Sequence, residues 1–316
     1  MTAKITIIIP NYNNIKLLIN LIESLKKATT IPYELIIVDD KSEDNSVEYL
    51  KKHYPEIKLL VNDINHGFAY TVNRGIKNAK TDYVYLLNND TTVDPDFLVD
   101  PLKIMESDDE IFAISSKMLQ LNNHDLIEDA GDEYTILSWS KKRGYNKPQS
   151  RYSQDGEVFS ACAGAALYRC DVFDKIGFFD ENFGSYVEDM DLSFRAHLYG
   201  YKIYYAAHSI VYHIGSASTG SQYNSFKVEI SARNNIYLIY KNMPTWMIII
   251  NSLFIAVGII IKYIFFYNKN LHNYYKDGVF KGIKTCRKLE KLEDRSIKNY
   301  FKVELDMIKN TFRYLS

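Results

Sequence analysis

The sequence predicts an α/β fold in which a mostly parallel sheet carries helices on both faces. Three observations lead to this prediction: strand and helix patterns alternate through the first hundred residues, the strand segments are almost continuously apolar, and polar clusters follow them. Continuous apolar runs are typical of strands that are buried on both faces. The alternation implies right-handed crossovers onto one sheet. A chain of 316 residues with 47% hydrophobic content can bury a large core.

The predicted elements follow one another in chain order. Strands are expected at the apolar runs 4–9, 34–38, 57–61 and 83–87. Helices are expected where apolar residues recur every three or four positions, at 15–27, 46–53 and about 69–78. Ligands of such sheets bind outside the carboxyl ends of the strands. The loops that should therefore open on one binding edge are 10–13, 39–42 and 88–90.

Composition and missing motifs exclude several classes of protein. The net charge of -1 offers no broad basic surface, so no nucleic-acid partner is expected. The three cysteines lack the spacing of a zinc site or a disulfide framework, which indicates a reducing compartment. The apolar run at 5–9 is too short for a secretory signal. Without G-x-G-x-x-G after the first strand, and without a P-loop motif, dinucleotide oxidoreductases and P-loop hydrolases are set aside.

Three separated segments together supply a metal carboxylate, a candidate base and an imidazole. They are Asn88-Asn89-Asp90, then Glu188-Asp189-Met190-Asp191, and finally His213 before a loop rich in Gly and Ser. A carboxylate at the edge of a sheet suits a divalent cation that neutralises a diphosphate. Each segment also has a structural explanation, as a turn, an acidic helix start or a structural histidine. Likewise, Asn13, Ser42 and Asp44 are suited to cap helices.

A series of motifs in consistent order resembles the family-2 inverting glycosyltransferases with the GT-A fold. Further motifs, from Ala163 onward, are similar to the bacterial rhamnosyltransferase-like branch of that family. The resemblance covers about residues 4 to 243. The first set is Ile7-Ile8-Ile9-Pro10-Asn11-Tyr12-Asn13, Val38-Asp39-Asp40-Lys41-Ser42, His66-Gly67-Phe68-Ala69 with Asn73-Arg74-Gly75, and Leu87-Asn88-Asn89-Asp90-Thr91. The second set is Ala163-Gly164-Ala165-Ala166, Gly177-Phe178-Phe179-Asp180-Glu181, Glu188-Asp189-Met190-Asp191-Leu192 with Arg195, Gly200-Tyr201, His213 and Ser216.

The resemblance implies a GT-A fold, a Rossmann-like transferase fold for nucleotide-diphospho-sugars, and a donor linked to dTDP or UDP. It assigns nucleotide binding to Pro10, Tyr12, Asn13, Asp39, Arg74, Asn88 and Asn89. It also implies a divalent metal, Mn2+ or Mg2+, held by Asp90 and His213. Asn88 stands where the family's D-x-D motif has its first Asp, so fewer carboxylates would reach the metal, which puts tight metal binding in doubt.

The same resemblance implies that Asp189 is the general base, with Glu188 and Asp191 as fallback candidates. The expected reaction moves a sugar, which the branch suggests is rhamnose, to a glycan or polyprenyl-linked acceptor for cell-surface polysaccharide. Two alternatives stay open. A metal-dependent nucleotide-sugar hydrolase or nucleotidyltransferase could use the same edge, and a catalytically silent glycan-binding scaffold could keep the fold. The segment 117–157 is expected to form an irregular insertion on the acceptor side that contains Trp139.

The character of the chain changes at about Pro244, so residues 1–243 are predicted to be catalytic and 244–316 helical and membrane-proximal. Residues 245–261 are almost wholly apolar, and the apolar run resumes after Lys262. This is near the minimum length for a membrane span, yet the tail behind it is basic. We expect a monotopic or re-entrant attachment at the cytoplasmic face of the bacterial inner membrane. A buried helix of a soluble extension is the alternative. Basic residues expected to face lipid head groups are Lys269, Lys281, Lys284, Arg287 and Lys288.

Overall fold

A computed structural model describes residues 3–28, 30–215, 223–292 and 295–315 of the chain; Ser216 lies outside these ranges. The seven elements predicted in the first hundred residues are all present, with bounds within about two residues of the predictions. The strands are β1 (Ile5–Asn11), β2 (Tyr33–Asp39), β3 (Lys58–Val61), β4 (Tyr83–Leu87), β5 (Thr91–Val93), β6 (Ile111–Gln120), β7 (Asn123–Asp129), β8 (Asp132–Tyr134), β9 (Ser140–Lys142), β10 (Gly156–Glu157), β11 (Ala165–Arg169) and β12 (Lys202–His213). The helices are α1 (Ile15–Lys27), α2 (Ser46–His53), α3 (Phe68–Ile76), α4 (Val99–Ser107), α5 (Cys170–Ile176), α6 (Glu188–Leu198), α7 (Ser225–Asn242), α8 (Thr245–Tyr267), α9 (His272–Thr285) and α10 (Ile297–Leu315).

One large sheet organises the chain from β1 to β12. Its strand order is β10-β12-β6-β11-β4-β1-β2-β3, with β5 beside β12 and β7 beside β6. Strands β1 to β4 are parallel to their neighbours in this group, as predicted. The other half is mixed, because β11 runs antiparallel to both β4 and β6. Apolar runs report burial and not strand direction, so the sequence could not show this reversal.

Alternate residues of the central strand β1 face opposite layers of helices. Ile7 and Ile9 pack in one core cluster with Leu18 of α1. Ile8 packs in a second cluster with Val72 of α3. Side chains of a strand alternate between its faces, so this pattern fixes the sheet between the two layers. The predicted arrangement of helices on both faces is confirmed.

The prediction of an irregular insertion at 117–157 is wrong. The segment completes β6 and contains β7, β8, β9 and β10. Strand β8 pairs with β9 as a two-stranded hairpin, with Asp132 opposite Lys142. These strands are short and carry many polar residues, so they lack the apolar runs by which β1 to β4 are recognised.

One face of α8, in the helical extension after residue 243, packs against the turn between β8 and β9 and against α10. A Cβ on Gly258 would lie 2.1 Å from the Leu137 carbonyl oxygen, so only glycine permits this approach. The Trp139 Nε1 donates to the Gly258 carbonyl at 3.1 Å, and the Asn251 amide donates to Glu304 of α10 at 2.9 Å. Among the helices that the structure describes, α8 is the one long and apolar enough to cross a membrane.

Candidate active site

The carboxyl ends of β1 and β2 are joined by hydrogen bonds centred on Asp39. This carboxylate is fully buried. Its Oδ1 accepts from the Ser42 backbone N–H at 2.8 Å, and its Oδ2 accepts from Asn11 Nδ2 at 2.8 Å and Ser42 Oγ at 2.6 Å. The Asn89 amide in turn donates to Asn11 Oδ1 at 2.8 Å. Asp39 and Asn89 therefore brace this edge of the sheet, together with Asn11, for which no role was predicted.

The predicted nucleotide residues of the first loop are arranged around this brace. The Tyr12 ring is 38% exposed at the edge, and the Pro10 side chain is partly buried. Asn13 has a left-handed backbone, with φ 59°, and its Oδ1 accepts from the Glu43 N–H at 2.8 Å. Asn13 does not cap α1; the Ile15 N–H donates instead to Asp44 Oδ2 at 3.2 Å. Tyr12 is thus the aromatic surface that this loop offers to a flat ligand.

Arg74 supports the neighbouring loop. Its Nη1 donates at 2.6 Å both to the Val61 carbonyl and to Asn62 Oδ1. The Asn62 amide donates to Asp40 Oδ1 at 2.7 Å, and Asp40 Oδ2 accepts from the Gly67 N–H at 2.8 Å. Asp40 was missed as a functional residue, although it directly follows Asp39. Adjacent residues at the end of a strand point in opposite directions, so the two carboxylates hold different loops.

Asp90 and His213 are brought together by strand pairing. The short strand β5, which follows Asp90, pairs with the end of β12 and sets His213 opposite Thr91. His213 Nε2 lies 3.1 Å from Asp90 Oδ1, and both side chains are about nine-tenths buried. Burial lowers the pKa of His213, but the carboxylates of Asp90 and of Glu128, whose Oε1 lies 3.8 Å from Nδ1, overcome this and raise the pKa to about 9. Asn88 lies beside them, partly buried, with its N–H bonded to the Gly164 carbonyl at 3.0 Å.

Asp189 lies in the first turn of α6, partly buried and fixed by backbone donors. Its Oδ1 accepts from the Met190 N–H at 2.8 Å and its Oδ2 from the Ala163 N–H at 3.4 Å. Burial raises the pKa of Asp189, and these two N–H groups partly oppose the increase. A carboxylate with a raised pKa is a stronger base than one in water.

The backbone just before Asp189 is strained. Tyr186 and Val187 have φ values of 68° and 72°, and a β-branched residue such as Val rarely adopts the left-handed region. The Asn234 Nδ2 of α7 lies 2.7 to 3.0 Å from the carbonyl oxygens of Phe183, Ser185 and Tyr186. Strained backbone of this kind persists where the surroundings enforce it. Asn234 is therefore, with Asn11 and Asp40, a third residue that the sequence did not indicate.

Asp191, one of the fallback bases, is enclosed in the interior. It is fully buried, and its carboxylate accepts from Arg195 at 3.0 Å, Lys241 at 3.0 Å and Asn242 at 2.8 Å. Burial opposes its ionisation, but Lys241 and Arg195 lower the pKa of Asp191 overall. The ionised Asp191 carboxylate pairs with Arg195 and Lys241 and so joins α6 to α7. Both of its oxygens are already hydrogen-bonded inside the protein.

A further acidic group adjoins Asp189. Glu188 is buried, and burial together with the Asp189 charge raises its pKa well above the usual range. The ligand atoms of Asp129, Asp132 and Cys162 all lie within 4.8 Å of one another, an arrangement that could hold a cation. Burial raises the pKa values of Asp129 and Asp132, and the charge of Asp189 adds to the increase. Sequence patterns did not single out these three residues.

The family follows from comparison with known proteins. Residues 6–177 match the family described as Glycosyl transferase family 2, which is more than half of the chain. The chain belongs to glycosyl transferase family 2. This family-2 glycosyltransferase is 32% identical over 203 residues to the uncharacterized glycosyltransferase YwdF of Bacillus subtilis (strain 168), a match that covers 61% of this chain and 68% of the relative.

A more distant sequence relative and a structural neighbour show how much of the chain resembles known proteins. The poly-beta-1,6-N-acetyl-D-glucosamine synthase of Staphylococcus aureus (strain COL) is 27% identical over 189 residues, which is 58% of this glycosyltransferase and 44% of the synthase. The chain thus spans less than half the length of that relative. The crystal structure of GalNAc-T7 with UDP, GalNAc and Mn2+ superposes with a TM-score of 0.61 at 16% identity and covers 75% of this chain and 47% of the other. This likeness confirms the GT-A fold predicted from the motifs.

Proposed function

We propose that this family-2 glycosyltransferase moves a sugar, with inversion, from a nucleoside-diphosphate sugar to a hydroxyl of a glycan or lipid-linked acceptor. The observation that carries the proposal is the pairing of Asp90 with His213 at the carboxyl edge of the sheet, beside loops braced by Asp39 and Asn89. That edge is where parallel sheets bind nucleotides. Residues 1–243 form the catalytic region in this proposal, and 244–316 the membrane-proximal one.

Donor binding is assigned to the braced edge. The exposed Tyr12 ring would stack on the base, with Pro10 and Asn13 beside it and Asn88 toward the sugar. Asp39, Asn89 and Arg74 act by holding the loops, since their hydrogen-bonding groups already contact the protein. UDP in the GalNAc-T7 structure supports a UDP- or dTDP-linked donor. Rhamnose as the sugar rests only on the similarity of the motifs from Ala163 onward.

Asp90 and His213 fit a divalent cation. A carboxylate oxygen and an imidazole nitrogen are ligands that Mn2+ accepts, and His213 Nε2 lies 3.1 Å from Asp90 Oδ1, so one cation could contact both atoms. When bound, Mn2+ or Mg2+ would neutralise charge that builds on the leaving diphosphate. Metal binding would displace the proton that Asp90 and Glu128 otherwise favour on His213. The Mn2+ in the GalNAc-T7 structure supports Mn2+ as the ion in this protein.

Asp189 is assigned the role of general base. It would accept the proton of the acceptor hydroxyl as that oxygen attacks the sugar from the face opposite the diphosphate. Its backbone donors, Met190 and Ala163, hold both carboxylate oxygens in place. Burial and the charge of Asp189 raise the pKa of Glu188 well above its usual range, so ionised Asp189 favours the neutral form of Glu188 beside it.

Metal-dependent stabilisation by one nucleotide tests the donor site. We expect one of UDP, dTDP and GDP to raise the melting temperature with Mn2+ and not with a chelator, since a ligand at about 100 times its Kd adds roughly 2.7 kcal/mol. Asp90→Asn should lose the metal-dependent part. The matched control Asp171→Asn, on an exposed face of α5, should retain it. A flat response to all three nucleotides would contradict the proposed function.

The membrane proposal rests on apolar side chains that the fold leaves exposed. One face of α8 packs on the protein, while the opposite face and neighbouring positions on α9 and α10 are exposed. The hydrogen-bonded positions Asn251 and Gly258 are about two turns apart, so α8 lies along the protein surface. This favours attachment within one leaflet, with the basic residues around it at the head groups. The exposed residues include Ile249, Ile250, Leu253, Ile260, Ile264, Phe280, Ile283, Phe301, Leu305 and Phe312.

A single substitution on this face should weaken vesicle binding. Ile260 is 57% exposed, and burial of an Ile side chain in lipid contributes about 1.5–3 kcal/mol, so Ile260→Ser should lower partitioning roughly tenfold or more. Ile64→Ser is the matched control, because Ile64 is equally exposed but lies in the catalytic region. Sedimentation with vesicles that contain anionic lipid measures both. Equal partitioning of the two variants would contradict the membrane proposal and favour a soluble helical extension.

A further inference from the structure

Two carboxyl groups lie close together at the turn between β7 and β8, with oxygen atoms within 4.8 Å of each other. Asp129 ends β7 and is fully buried; Asp132 begins β8 and is 7% exposed. Asp129 Oδ2 and Asp132 Oδ1 have no hydrogen-bond partner in the part of the chain that the structure describes. Buried polar atoms normally have partners, so these two oxygens require an explanation.

The backbone prevents the two groups from separating. Gly131 between them has φ 88°, and its N–H donates to Asp129 Oδ1 at 2.8 Å. Asp132 is bonded to Ser160 in both directions, N–H to carbonyl at 2.8 Å and carbonyl to N–H at 3.0 Å. A Cβ on Gly131 would approach Val158 to 2.9 Å, so glycine is required between the two groups.

Only a very small species can reach these two oxygens and interact with them. Neither of the two atoms exposes appreciable surface, so a sugar hydroxyl cannot reach them. The Lys142 ammonium bonds to Glu128 at 2.6 Å, and its charge lowers the pKa values of both carboxyls without a hydrogen bond to either unpartnered oxygen. Ionisation of two carboxylates this close to each other is opposed by their mutual repulsion, and a proton between them removes one charge. The ionisable groups that interact with the pair are Glu128, Lys142, Cys162, Tyr168 and Asp189.

We propose that Asp129 and Asp132 share one proton and that this carboxyl pair positions Asp189, so that a third carboxyl group beside them stays ionised and fixed. The segment 160–163 connects them: it bonds to Asp132 through Ser160 and to Asp189 through the Ala163 N–H at 3.4 Å. Burial and the charge of Asp189 raise the pKa values of both carboxyls, that of Asp129 to about 6; the charge of Glu128 adds to the increase at Asp129, and that of Asp129 to the increase at Asp132. The role assigned to Asp189 rests on the proposed function.

Infrared spectroscopy of the substrate-free protein tests the shared proton. A protonated carboxyl has a carbonyl stretch distinct from that of a carboxylate, and Glu188 contributes its own band, so Glu188→Gln is the starting variant. At neutral pH we expect one protonated-carboxyl band to remain in that variant and to disappear when Asp132→Asn or Asp129→Asn is added. Absence of the remaining band would overturn the proposal. Loss of the band when Mn2+ is added to a variant that also carries Asp90→Asn would overturn it too, because a cation would then be bound between Asp129 and Asp132.

Positioning of Asp189 has a separate readout. Asp132→Ala should lower kcat roughly 10- to 100-fold, since misplacement by about 1 Å costs that much. Asp132→Asn restores a neutral group that can donate to Asp129 and should recover most of the loss. Equal loss in both variants would overturn the positioning role. If wild-type protein transfers no sugar at all, the proposed function fails while the infrared result stands, so the two failures are distinguishable.

Discussion

Asp189→Asn is expected to lower kcat by about two to four orders of magnitude, because an amide cannot accept the proton of the acceptor hydroxyl. Nucleotide binding should survive, since Asp189 makes no contact with the braced edge around Asp39. The amide oxygen can still accept from the Met190 N–H, so the fold is preserved. Transfer measured with the donor identified by thermal stabilisation gives the result, and Asp171→Asn serves as the active control.

The pH dependence of the same reaction provides a second check on Asp189. The base must be ionised, and its pKa is raised above the usual value of 3.8. The rate should therefore fall as the pH decreases through the raised pKa of Asp189, and the fall should begin above the range of an exposed aspartate. Full turnover in Asp189→Asn would contradict the assignment, and loss of nucleotide binding in that variant would show a structural role instead.

Asp191→Ala is expected to be the most destabilising substitution in the acidic run, with a loss of about 3–5 kcal/mol in the free energy of unfolding. The change leaves Arg195 and Lys241 buried without their shared carboxylate. Lys241 retains Asp180 at 2.6 Å, which moderates the loss at that end. Urea unfolding followed by circular dichroism measures the effect.

Asp306→Ala is the matched control for Asp191→Ala, because its partner Lys309 is exposed and their ion pair lies on the surface of α10. Exposed pairs contribute about 0–1 kcal/mol, so this variant should be nearly as stable as the wild type. The interpretation of Asp191 would be wrong if Asp191→Ala kept wild-type stability and lost only turnover, because Asp191 would then be acting in the reaction.

The sequence was most informative where a pattern depends on neighbouring residues. Strands β1 to β4 and the helices between them follow from local periodicity, and each was predicted within about two residues. Residues that act through long-range pairing were harder to predict. Asp90 and His213 lie side by side only because β5 pairs with β12, and the sequence associated them by family resemblance alone.

Several residues of the site could not have been found by pattern. Asp40 and Asn11 adjoin residues that were predicted, yet periodicity does not say which of two adjacent polar groups turns inward. Asn234 binds three carbonyl groups from the middle of α7, a role that no spacing in the sequence encodes. Asp132 lies in a short hairpin whose polar strands lack the apolar runs that mark a buried element.

The hairpin of β8 and β9 has a practical consequence for enzymology. One end carries Asp132, which lies near Asp189, and the other end carries Trp139, which is 8% exposed and packs under α8. A truncation after residue 243, a common way to obtain a preparation without detergent, would expose this tryptophan. Kinetic constants from such a preparation would describe an enzyme with an altered hairpin, so assays belong on the 316-residue chain in detergent or lipid.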